Sequence, residues 1–210
     1  MELRWLGRVP YLDALKAQRD HRESVIAGEA PGVLWLLEHP AVITTGRREA
    51  GVDVAAVGEA GFELVSTERG GLATCHEPGQ LVGYLLVDVS ARGIRRVVCA
   101  LEQGLIDWLA GVGVPAGRRE GFPGVWANGE KVAAIGLHVK RGVTMHGFAL
   151  NLVNDLRGFG LITPCGIPGA RVTTVERLSG RRFAPADAAL PVGASVRRAI
   201  LALDTGAPRE

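Results

Sequence analysis

One cysteine of this sequence, Cys165, stands between a proline and a glycine in a stretch without helical or strand periodicity. Pro164 fixes its own φ and favours an extended conformation for Thr163. Gly166 permits backbone angles that a residue with a Cβ resists. Since the thiolate is the nucleophile, a thiol with a pKa of about 8.5 needs a cationic neighbour or a helix N-terminus to ionise at neutral pH. The pattern predicts a thiol presented on a shaped turn, and a small buried hydrophobe is the alternative.

A partner for this thiol must be a side chain that can carry or take a proton. The candidates lie in apolar segments outside the predicted helices, and they are His76, Lys131, His138 and His146. A histidine in such a strand is alternatively a satisfied core or edge residue. Lys131 leads into an apolar run and is either the solvent-facing end of a hairpin or an ammonium aimed into a site, and both interpretations stay open.

The other two cysteines are weaker candidates. Cys75 is a rival nucleophile because it precedes His76, but adjacent residues of a strand point to opposite faces. Cys99 falls within a predicted helix, where we expect it to be inert. The three cysteines lack C-x-x-C spacing, which argues against a disulfide framework or a thiolate zinc site and favours a reducing compartment.

Two glycine-containing segments could approach a ligand. Arg69-Gly70-Gly71 permits a tight backbone path whose N–H groups could cradle a carbonyl or an oxyanion, although such a pair is also common in simple turns. His146-Gly147 interrupts a predicted strand, and glycine within a strand often marks a bulge or a close backbone approach.

Periodicity predicts the elements that must position these residues. Predicted helices cover residues 11 to about 28, 94–111, 154–159 and 173–178, and a last helix uses Val196, Ala199, Ile200 and Leu203. Predicted strands cover residues 3–6, 33–37, 41–45, 62–66, 81–89, 125–127, 132–135, 137–139 and 143–150. Asn128-Gly129 predicts a tight hairpin, and residues 140–142 a second reversal.

Strands that cluster in two blocks, with helices between and after them, favour the α+β (α/β mixed) class. We therefore expect one domain over residues 1–210, built on a mixed, largely antiparallel sheet flanked by helices, with residues 205–210 as a frayed tail. The signatures G-x-G-x-x-G, G-x-x-x-x-G-K-[ST] and H-E-x-x-H do not occur, which weakens simple nucleotide-binding and metalloprotease interpretations.

The composition and net charge limit which kinds of partner the sequence indicates. The 210 residues include 24 Lys and Arg against 22 Asp and Glu, a formal charge of +2, which is too balanced to indicate nucleic acid or an anionic membrane. The first residues lack a basic region followed by an apolar run. Nowhere does the sequence contain an uninterrupted apolar run of about 18 residues, the length that a membrane span needs. The sequence predicts a soluble, cytoplasmic protein.

Four motifs, taken in order, resemble those of the lipoyl(octanoyl) transferases. They are R-G-G-x-x-T-x-H-x-P-G-Q at residues 69–80, K-V-A-A-I-G at 131–136, H-G-F-A-L-N at 146–151 and T-P-C-G-I at 163–167. The likeness extends upstream to E-H-P at 38–40 and G-R at 46–47, so it covers most of the chain.

The resemblance implies the fold of biotin–protein ligases and lipoate–protein ligases. It also implies transfer of an octanoyl group from acyl carrier protein to a specific lysine on lipoyl domains of 2-oxoacid dehydrogenases and on the glycine-cleavage H protein. The donor thioester is already activated, so no ATP or other cofactor is expected, which agrees with the missing phosphate-binding signature. Neither nucleic acid nor membrane is an expected partner.

The resemblance also assigns roles to residues. Cys165 matches the cysteine that carries the acyl group as a thioester, and Lys131 the lysine that lowers that cysteine's pKa and transfers protons. The residues that match the substrate-binding stretches are Arg69, Gly70, Gly71, Leu72, Ala73, Thr74, Cys75, His76, Ala134, Ile135, Gly136, Gly147, Phe148 and Ala149.

Two departures from the family pattern affect the predicted pocket. Cys75 stands where the family usually has an aromatic residue, and Glu77 where it usually has glycine, so chain-length preference is open. Two other functions stay open as alternatives. One is an ATP-dependent lipoate or biotin ligase of the same fold, and the other is a non-catalytic module that binds an acyl group or a carrier protein.

Overall fold

A computed structural model describes residues 1–48, 52–163 and 170–204, so that Cys165 lies outside the described residues. Within these ranges the strands are β1 (Glu2–Arg8), β2 (Val33–Glu38), β3 (Val42–Thr45), β4 (Glu63–Ser66), β5 (Thr74–His76), β6 (Gln80–Leu86), β7 (Gly124–Ala127), β8 (Glu130–Lys140) and β9 (Val143–Asn151). The α-helices are α1 (Tyr11–Ile26), α2 (Val54–Glu59), α3 (Ile94–Gly111), α4 (Val175–Ser179) and α5 (Pro185–Leu201), and Arg157–Leu161 forms a 3-10 helix.

The main sheet has six strands in the order β1-β2-β6-β9-β8-β7. Only β1 and β2 run parallel, and the other neighbours are antiparallel. A smaller sheet has the order β4-β3-β5, with one parallel and one antiparallel pair. This mixed and largely antiparallel arrangement is the predicted one.

Helices cover both faces of the main sheet. On one face α3 and α5 enclose a large apolar cluster that includes Leu101, Leu105 and Val196. On the other face α1 packs against β2, β6 and β9 through a cluster that includes Leu15. The small sheet, α2 and the 3-10 helix share a third cluster around Phe62. Strands β8 and β9 therefore lie between the packed layers on the two faces of the main sheet.

The turn between β7 and β8 forms as its sequence predicts. Asn128 and Gly129 have φ values of 50° and 79°, which a two-residue hairpin of this type requires at both central positions. The reversal between β8 and β9 uses Arg141 and Gly142 at 48° and 80°. The predicted meander is confirmed, although β8 is one continuous strand where two were predicted.

The helices differ from prediction mainly at their ends. The last helix begins at Pro185, well before the apolar residues that predicted it, and it contains a second proline, Pro191. Proline suits the first helical position because no backbone N–H is needed there. No helix within residues 1–48, 52–163 and 170–204 has the length and hydropathy needed to cross a bilayer.

Candidate active site

A cavity of about 340 Å³ lies against β8 and β9, a size in the range of small-molecule sites. It is lined by the predicted lysine and by thirteen of the fourteen predicted substrate-binding residues, which come from the loop before β5, β5 itself, β8 and β9. They are Arg69, Gly70, Gly71, Leu72, Ala73, Thr74, His76, Lys131, Ala134, Ile135, Gly136, Gly147, Phe148 and Ala149. Sequence motifs that lie between residues 69 and 149 thus meet at one cavity.

The floor of the cavity is made of small residues on two paired strands. Ala134 lies opposite Ala149, and Gly136 lies opposite Gly147. Alternate residues of a strand face the same side, so these two pairs belong to one face. A Cβ at Gly147 would collide with the carbonyl oxygen of Gly83, so only glycine fits there. This part of the cavity wall therefore carries little side-chain bulk.

The Arg69-Gly70-Gly71 loop forms a wall of the cavity. The Arg69 guanidinium donates to the Thr44 carbonyl and hydroxyl oxygens at 2.7 and 2.8 Å, and to the Gly70 carbonyl oxygen at 3.1 Å. The Gly70 N–H donates to the Leu137 carbonyl oxygen at 3.1 Å. The arginine therefore stabilises the loop. The sequence suggested the Gly70 N–H as a donor to an oxyanion, but in the structure this N–H is already bonded to β8.

The lysine enters the site through an irregularity in β8. The register with β7 shifts between Val125 and Trp126, which lie opposite Ala133 and Lys131. Lys131 is 7% exposed. Its Nζ donates to the Pro123 carbonyl oxygen at 2.7 Å and lies 4.9 Å from the centre of the Trp126 ring. A carbonyl and an aromatic face both favour a cation, so the lysine is an inward-facing ammonium site and not the exposed end of a hairpin.

A second contact holds the backbone of Lys131. Its N–H donates to the Arg171 carbonyl oxygen at 2.9 Å, and its carbonyl oxygen accepts from the Thr173 N–H at 3.0 Å. These bonds form a parallel bridge between Lys131 and Val172. The part of the chain that follows residues 164–169 is therefore fixed beside the lysine.

His76 lies in a buried hydrogen-bonded network. Its Nδ1 is 2.7 Å from Oε1 of Gln80, whose Nε2 donates to the Asn151 side-chain oxygen and the Cys75 carbonyl oxygen. Because Oε1 only accepts, Nδ1 carries the proton and Nε2 is an acceptor. Asn151 in turn donates to the Thr173 carbonyl oxygen at 3.1 Å, next to the Lys131 bridge. Burial lowers the pKa of His76 to about 3, which keeps the imidazole neutral.

His146 has an unusual backbone, with φ at 62°. Its N–H donates to Oε1 of Gln18 in α1 at 2.8 Å, which stabilises this irregular point of β9. Burial lowers the pKa of His146 to about 3. Its Nε2 is buried without a hydrogen-bond partner among the described residues. By contrast, His138 lies 3.5 Å from the guanidinium of Arg22 and is not among the cavity-lining residues.

Similarity to known proteins identifies the family. A sequence profile of the lipoyl protein ligase A/B catalytic domain matches residues 10–194. An octanoyltransferase of Geobacter sulfurreducens is 45% identical over 191 residues, which cover 90% of this chain and 80% of that protein. An octanoyltransferase of Thiobacillus denitrificans is 47% identical over 178 residues, which cover 84% of this chain and 80% of that protein. This chain belongs to the octanoyltransferase family. It is an acyltransferase.

Solved structures with the same fold include ligases. A crystal structure of lipoate-protein ligase A bound with ATP superposes with a TM-score of 0.73 at 17% identity, covering 100% of this chain and 88% of that one. The crystal structure of biotin protein ligase from Aquifex aeolicus superposes with a TM-score of 0.59 at 12% identity, covering 99% of this chain and 72% of that one. The predicted fold class, that of the biotin and lipoate ligases, is confirmed.

The two departures from the octanoyltransferase pattern lie outside the cavity. Cys75 is fully buried in the cluster that contains Phe62, and it is the one predicted substrate-binding residue that does not line the cavity. Burial raises the pKa of its thiol, chiefly by desolvation, which disfavours a nucleophilic role. The Glu77 carboxylate accepts from the Asn154 side chain at 2.9 Å and from the Gly158 N–H at 3.4 Å. Both residues therefore join β5 to the 3-10 helix.

Several lining residues escaped the sequence analysis. They are Tyr11, Arg48, Tyr84, Ile94, Val98, Gly121, Phe122, Pro123, Leu137, Phe159 and Val172. Most are apolar residues on elements that meet only in the folded chain, so no local pattern marks them. His146 lines the cavity too, and the sequence indicated it as a possible partner of the thiol and as part of the motif at residues 146–151. In the described ranges, no group of three or more His, Cys, Asp and Glu side chains is arranged to hold a metal ion.

Proposed function

We propose that this octanoyltransferase moves an octanoyl group from octanoyl-acyl carrier protein to a specific lysine of lipoyl domains. In this proposal Cys165 carries the acyl group as a thioester, and Lys131 assists as a proton donor and acceptor. The relatives named octanoyltransferase support the reaction class. The acceptors would be the lipoyl domains of 2-oxoacid dehydrogenases and the glycine-cleavage H protein, as the family resemblance implies.

The observation that carries the proposal is the position of Lys131. The lysine is buried beside the cavity, and its backbone is bonded to Arg171 and Thr173. Arg171 follows Cys165 by six positions in the chain (171 minus 165). A short connection thus links the proposed nucleophile to the strand that carries the proposed acid–base group.

In the first half-reaction the Cys165 thiolate attacks the carbonyl carbon of the donor thioester. An ammonium at Lys131 favours the thiolate over the thiol. The carbon–sulfur bond to the carrier breaks, and the departing carrier thiolate takes a proton from Lys131. The products are the Cys165 thioester, the carrier thiol and a neutral Lys131 amine.

In the second half-reaction the acceptor lysine attacks the Cys165 thioester as a neutral amine. A free lysine has a pKa of about 10.4, so a base close to the site assists the reaction at neutral pH. The proton released as the amide forms passes to the Lys131 amine, and the Cys165 thiolate leaves. This step restores both residues to their starting protonation states, and no ATP is consumed.

The residues of the cavity fit the non-reacting part of the substrate. The floor of Ala134, Gly136, Gly147 and Ala149 leaves room for an unbranched chain. Each buried methylene contributes roughly 0.8 kcal/mol to binding. The buried neutral imidazoles of His76 and His146 add no charge next to the acyl chain.

The proposal is tested by supplying different donors to the purified protein and a lipoyl domain. Octanoyl-acyl carrier protein should modify one lysine of the lipoyl domain, detected by mass spectrometry, without ATP. A requirement for free octanoate and ATP would instead favour the ligase alternative. Binding of the acyl carrier without any modification of the lipoyl domain would favour the non-catalytic alternative.

A further inference from the structure

The peptide unit between Pro123 and Gly124 is hydrogen-bonded at both of its polar groups. The Pro123 carbonyl oxygen accepts from the Lys131 Nζ at 2.7 Å. The Gly124 N–H donates to Oε1 of Glu102, a residue of α3, at 2.9 Å. A carboxylate on a neighbouring helix is therefore connected to the proposed acid–base lysine through a single peptide unit.

The backbone alone does not fix the orientation of this peptide unit. Gly124 has φ at 129°, in a region that favours glycine. A Cβ at Gly124 would lie 2.5 Å from the Ala133 carbonyl oxygen, so another residue does not fit there. Because glycine permits a wide range of φ, the peptide plane can rotate between Pro123 and Gly124. The direction of the Pro123 carbonyl oxygen therefore depends on the hydrogen bonds at the two ends of the peptide.

Lys131 has no carboxylate of its own in the described part of the chain. The ion pairs among residues 1–48, 52–163 and 170–204 do not include it. Its Nζ instead contacts the Pro123 carbonyl oxygen and the Trp126 ring, neither of which carries a formal charge. A carboxylate bonded to the N–H of a peptide polarises its carbonyl oxygen, since linked hydrogen bonds strengthen one another. Glu102 thus strengthens the bond that holds the ammonium.

The Glu102 carboxylate is itself held in place. Glu102 is 5% exposed, and a buried carboxylate destabilises a fold unless it is paired and hydrogen-bonded. Its Oε2 accepts from the Arg118 Nε at 3.0 Å. Arg118 also donates to the Cys99 carbonyl oxygen at 3.0 Å and to the Gln103 side-chain oxygen at 2.8 Å. Glu102 is not among the residues that line the cavity, so contact with the acyl chain does not explain its burial.

We propose that Glu102 is a positioning residue for octanoyl transfer, which acts on Lys131 through the Pro123–Gly124 peptide. This inference rests on the proposed function, in which Lys131 favours the Cys165 thiolate and transfers protons. Glu102 directs the Pro123 carbonyl oxygen at Nζ and so keeps the ammonium in one place. Without Glu102 the peptide rotates and the ammonium loses its acceptor. Loss of Glu102 should therefore slow the chemical steps and leave binding of the acyl chain unchanged.

The first test separates the hydrogen bond from the side chain that supplies it. Glu102→Leu removes the acceptor of the Gly124 N–H, whereas Glu102→Gln retains an oxygen that can accept. With octanoyl-acyl carrier protein as donor and a lipoyl domain as acceptor, kcat should fall about tenfold or more in Glu102→Leu, the effect of losing one hydrogen bond to a charged group. The KM for the donor should stay the same, because no contact with it is removed. Glu102→Gln should recover most of kcat.

The Lys131 amine gives a second measurement that needs no turnover. After a brief reaction with acetic anhydride, mass spectrometry of the peptides compares the labelling of Lys131 with that of Lys140. Lys140 lies at the other end of β8 and is exposed, so it serves as an internal reference. The ratio of Lys131 to Lys140 labelling should rise severalfold in Glu102→Leu, because a released Nζ is more accessible to the reagent. In Glu102→Gln the ratio should stay close to that of the wild type.

The matched control is Asp107→Asn, which removes a carboxylate from the same helix. Asp107 accepts from the Gln103 side chain at 2.6 Å, and neither of the two bonds of the Pro123–Gly124 peptide involves it. Its kinetics and its labelling ratio should match those of the wild type. Thermal unfolding curves verify that each variant is folded. If Glu102→Leu does not fold, Glu102→Asp replaces it, since a carboxylate shorter by one methylene keeps its charge but moves away from the Gly124 N–H.

Three results would overturn the proposal. A kcat in Glu102→Leu equal to that of the wild type would remove Glu102 from the mechanism. A rise in KM alone would assign Glu102 to the shape of the cavity, and equal losses in Glu102→Leu and Asp107→Asn would indicate only the stability of α3. If the wild type transferred no octanoyl group, the proposed function would fail separately. The labelling ratio would then decide the positioning role, since a rise confined to Glu102→Leu supports it and an unchanged ratio overturns it.

Discussion

At the scale of the residue, burial decides which candidate side chains can do chemistry. The sequence left Lys131 open between an exposed hairpin end and an inward ammonium, and the structure places its Nζ against the Pro123 carbonyl oxygen and the Trp126 ring. Gly124 makes this possible, since a Cβ there would lie 3.0 Å from the lysine Nζ. Cys75, in contrast, is enclosed in an apolar cluster, and burial raises the pKa of its thiol.

Lys131→Ala should suppress octanoyl transfer by about two to four orders of magnitude, because the variant lacks the group proposed to ionise Cys165 and to move protons. The measurement is the rate of modification of a lipoyl domain, accompanied by a thermal unfolding curve. The matched control is Lys140→Ala, at the other end of β8, where an exposed lysine pairs with Glu23 at 2.9 Å. Equal rates for Lys131→Ala and the wild type would remove Lys131 from the mechanism.

At the scale of the element, the paired strands β8 and β9 contribute small side chains to the lining of the cavity. A branched side chain on this face would take up space in the cavity that we propose for the acyl chain. The register that pairs Ala134 with Ala149 and Gly136 with Gly147 therefore places small residues side by side in the cavity wall.

Ala149→Leu should shift donor preference from octanoyl towards shorter chains. Its isobutyl group would displace about two methylenes, which at roughly 0.8 kcal/mol each corresponds to about a tenfold loss in kcat/KM for octanoyl relative to butanoyl donors. The measurement is the ratio of the two kcat/KM values, so a general loss of folded enzyme cancels. The control is Ala55→Leu on the exposed side of α2. An unchanged ratio would contradict the proposed path of the chain.

Some elements could be predicted from the sequence because their signals are local. The apolar period of α3 and the Asn128-Gly129 turn both act within a few residues, and both are confirmed. The polar middle of α1 gave a weaker signal because Gln18 and Arg22 are buried there by tertiary contacts. Gln18 bonds β9 across the packed layers, and no local pattern encodes that bond.

The candidate site could be located from motifs but not completed from them. The family resemblance indicated the glycine loop, the lysine strand and the His146-Gly147 segment, which line one cavity. Tyr11 and Phe159 line it too, although they belong to a helix start and a 3-10 helix with no motif. Such residues are brought together only by packing, so their presence follows from the fold.

At the scale of the whole molecule, three neutral imidazoles are buried between α1, the small sheet and the main sheet. Burial lowers the pKa of His39 to about 4 and the pKa values of His76 and His146 to about 3. His39 Nδ1 donates to the Val9 carbonyl oxygen at 2.6 Å, which leaves Nε2 to accept from the Tyr84 hydroxyl at 2.7 Å. The His39 and His76 rings are centred 5.5 Å apart, and the His146 ring is centred 6.2 Å from the Tyr84 ring.

These imidazoles predict a loss of stability in mild acid. An unfolded histidine has a pKa of about 6.5, so the unfolded chain binds protons that the folded chain excludes. The contribution is complete above about pH 6.5 and falls as pH approaches the folded pKa values, with a slope of up to about 4 kcal/mol per pH unit for three groups. Urea unfolding between about pH 7.5 and about pH 5 measures this slope.

His76→Gln should reduce that slope by about one third, because one of the three proton-binding groups is removed. The slope of the free energy of unfolding against pH is compared with that of the wild type over the same pH range, so a constant difference in stability between the two proteins does not affect the result. A free energy of unfolding that stays constant from neutral pH to about pH 5 would show that the imidazoles are not buried as described.

The central claim, that Cys165 carries the acyl group, is tested most directly by intact mass spectrometry of the protein after incubation with octanoyl-acyl carrier protein and no acceptor. The wild type should gain the mass of one octanoyl group, and addition of a lipoyl domain should discharge it. Cys165→Ala should gain nothing, while Cys75→Ala should still be acylated. An adduct that persists in Cys165→Ala, or a wild type that never gains one, would contradict the account.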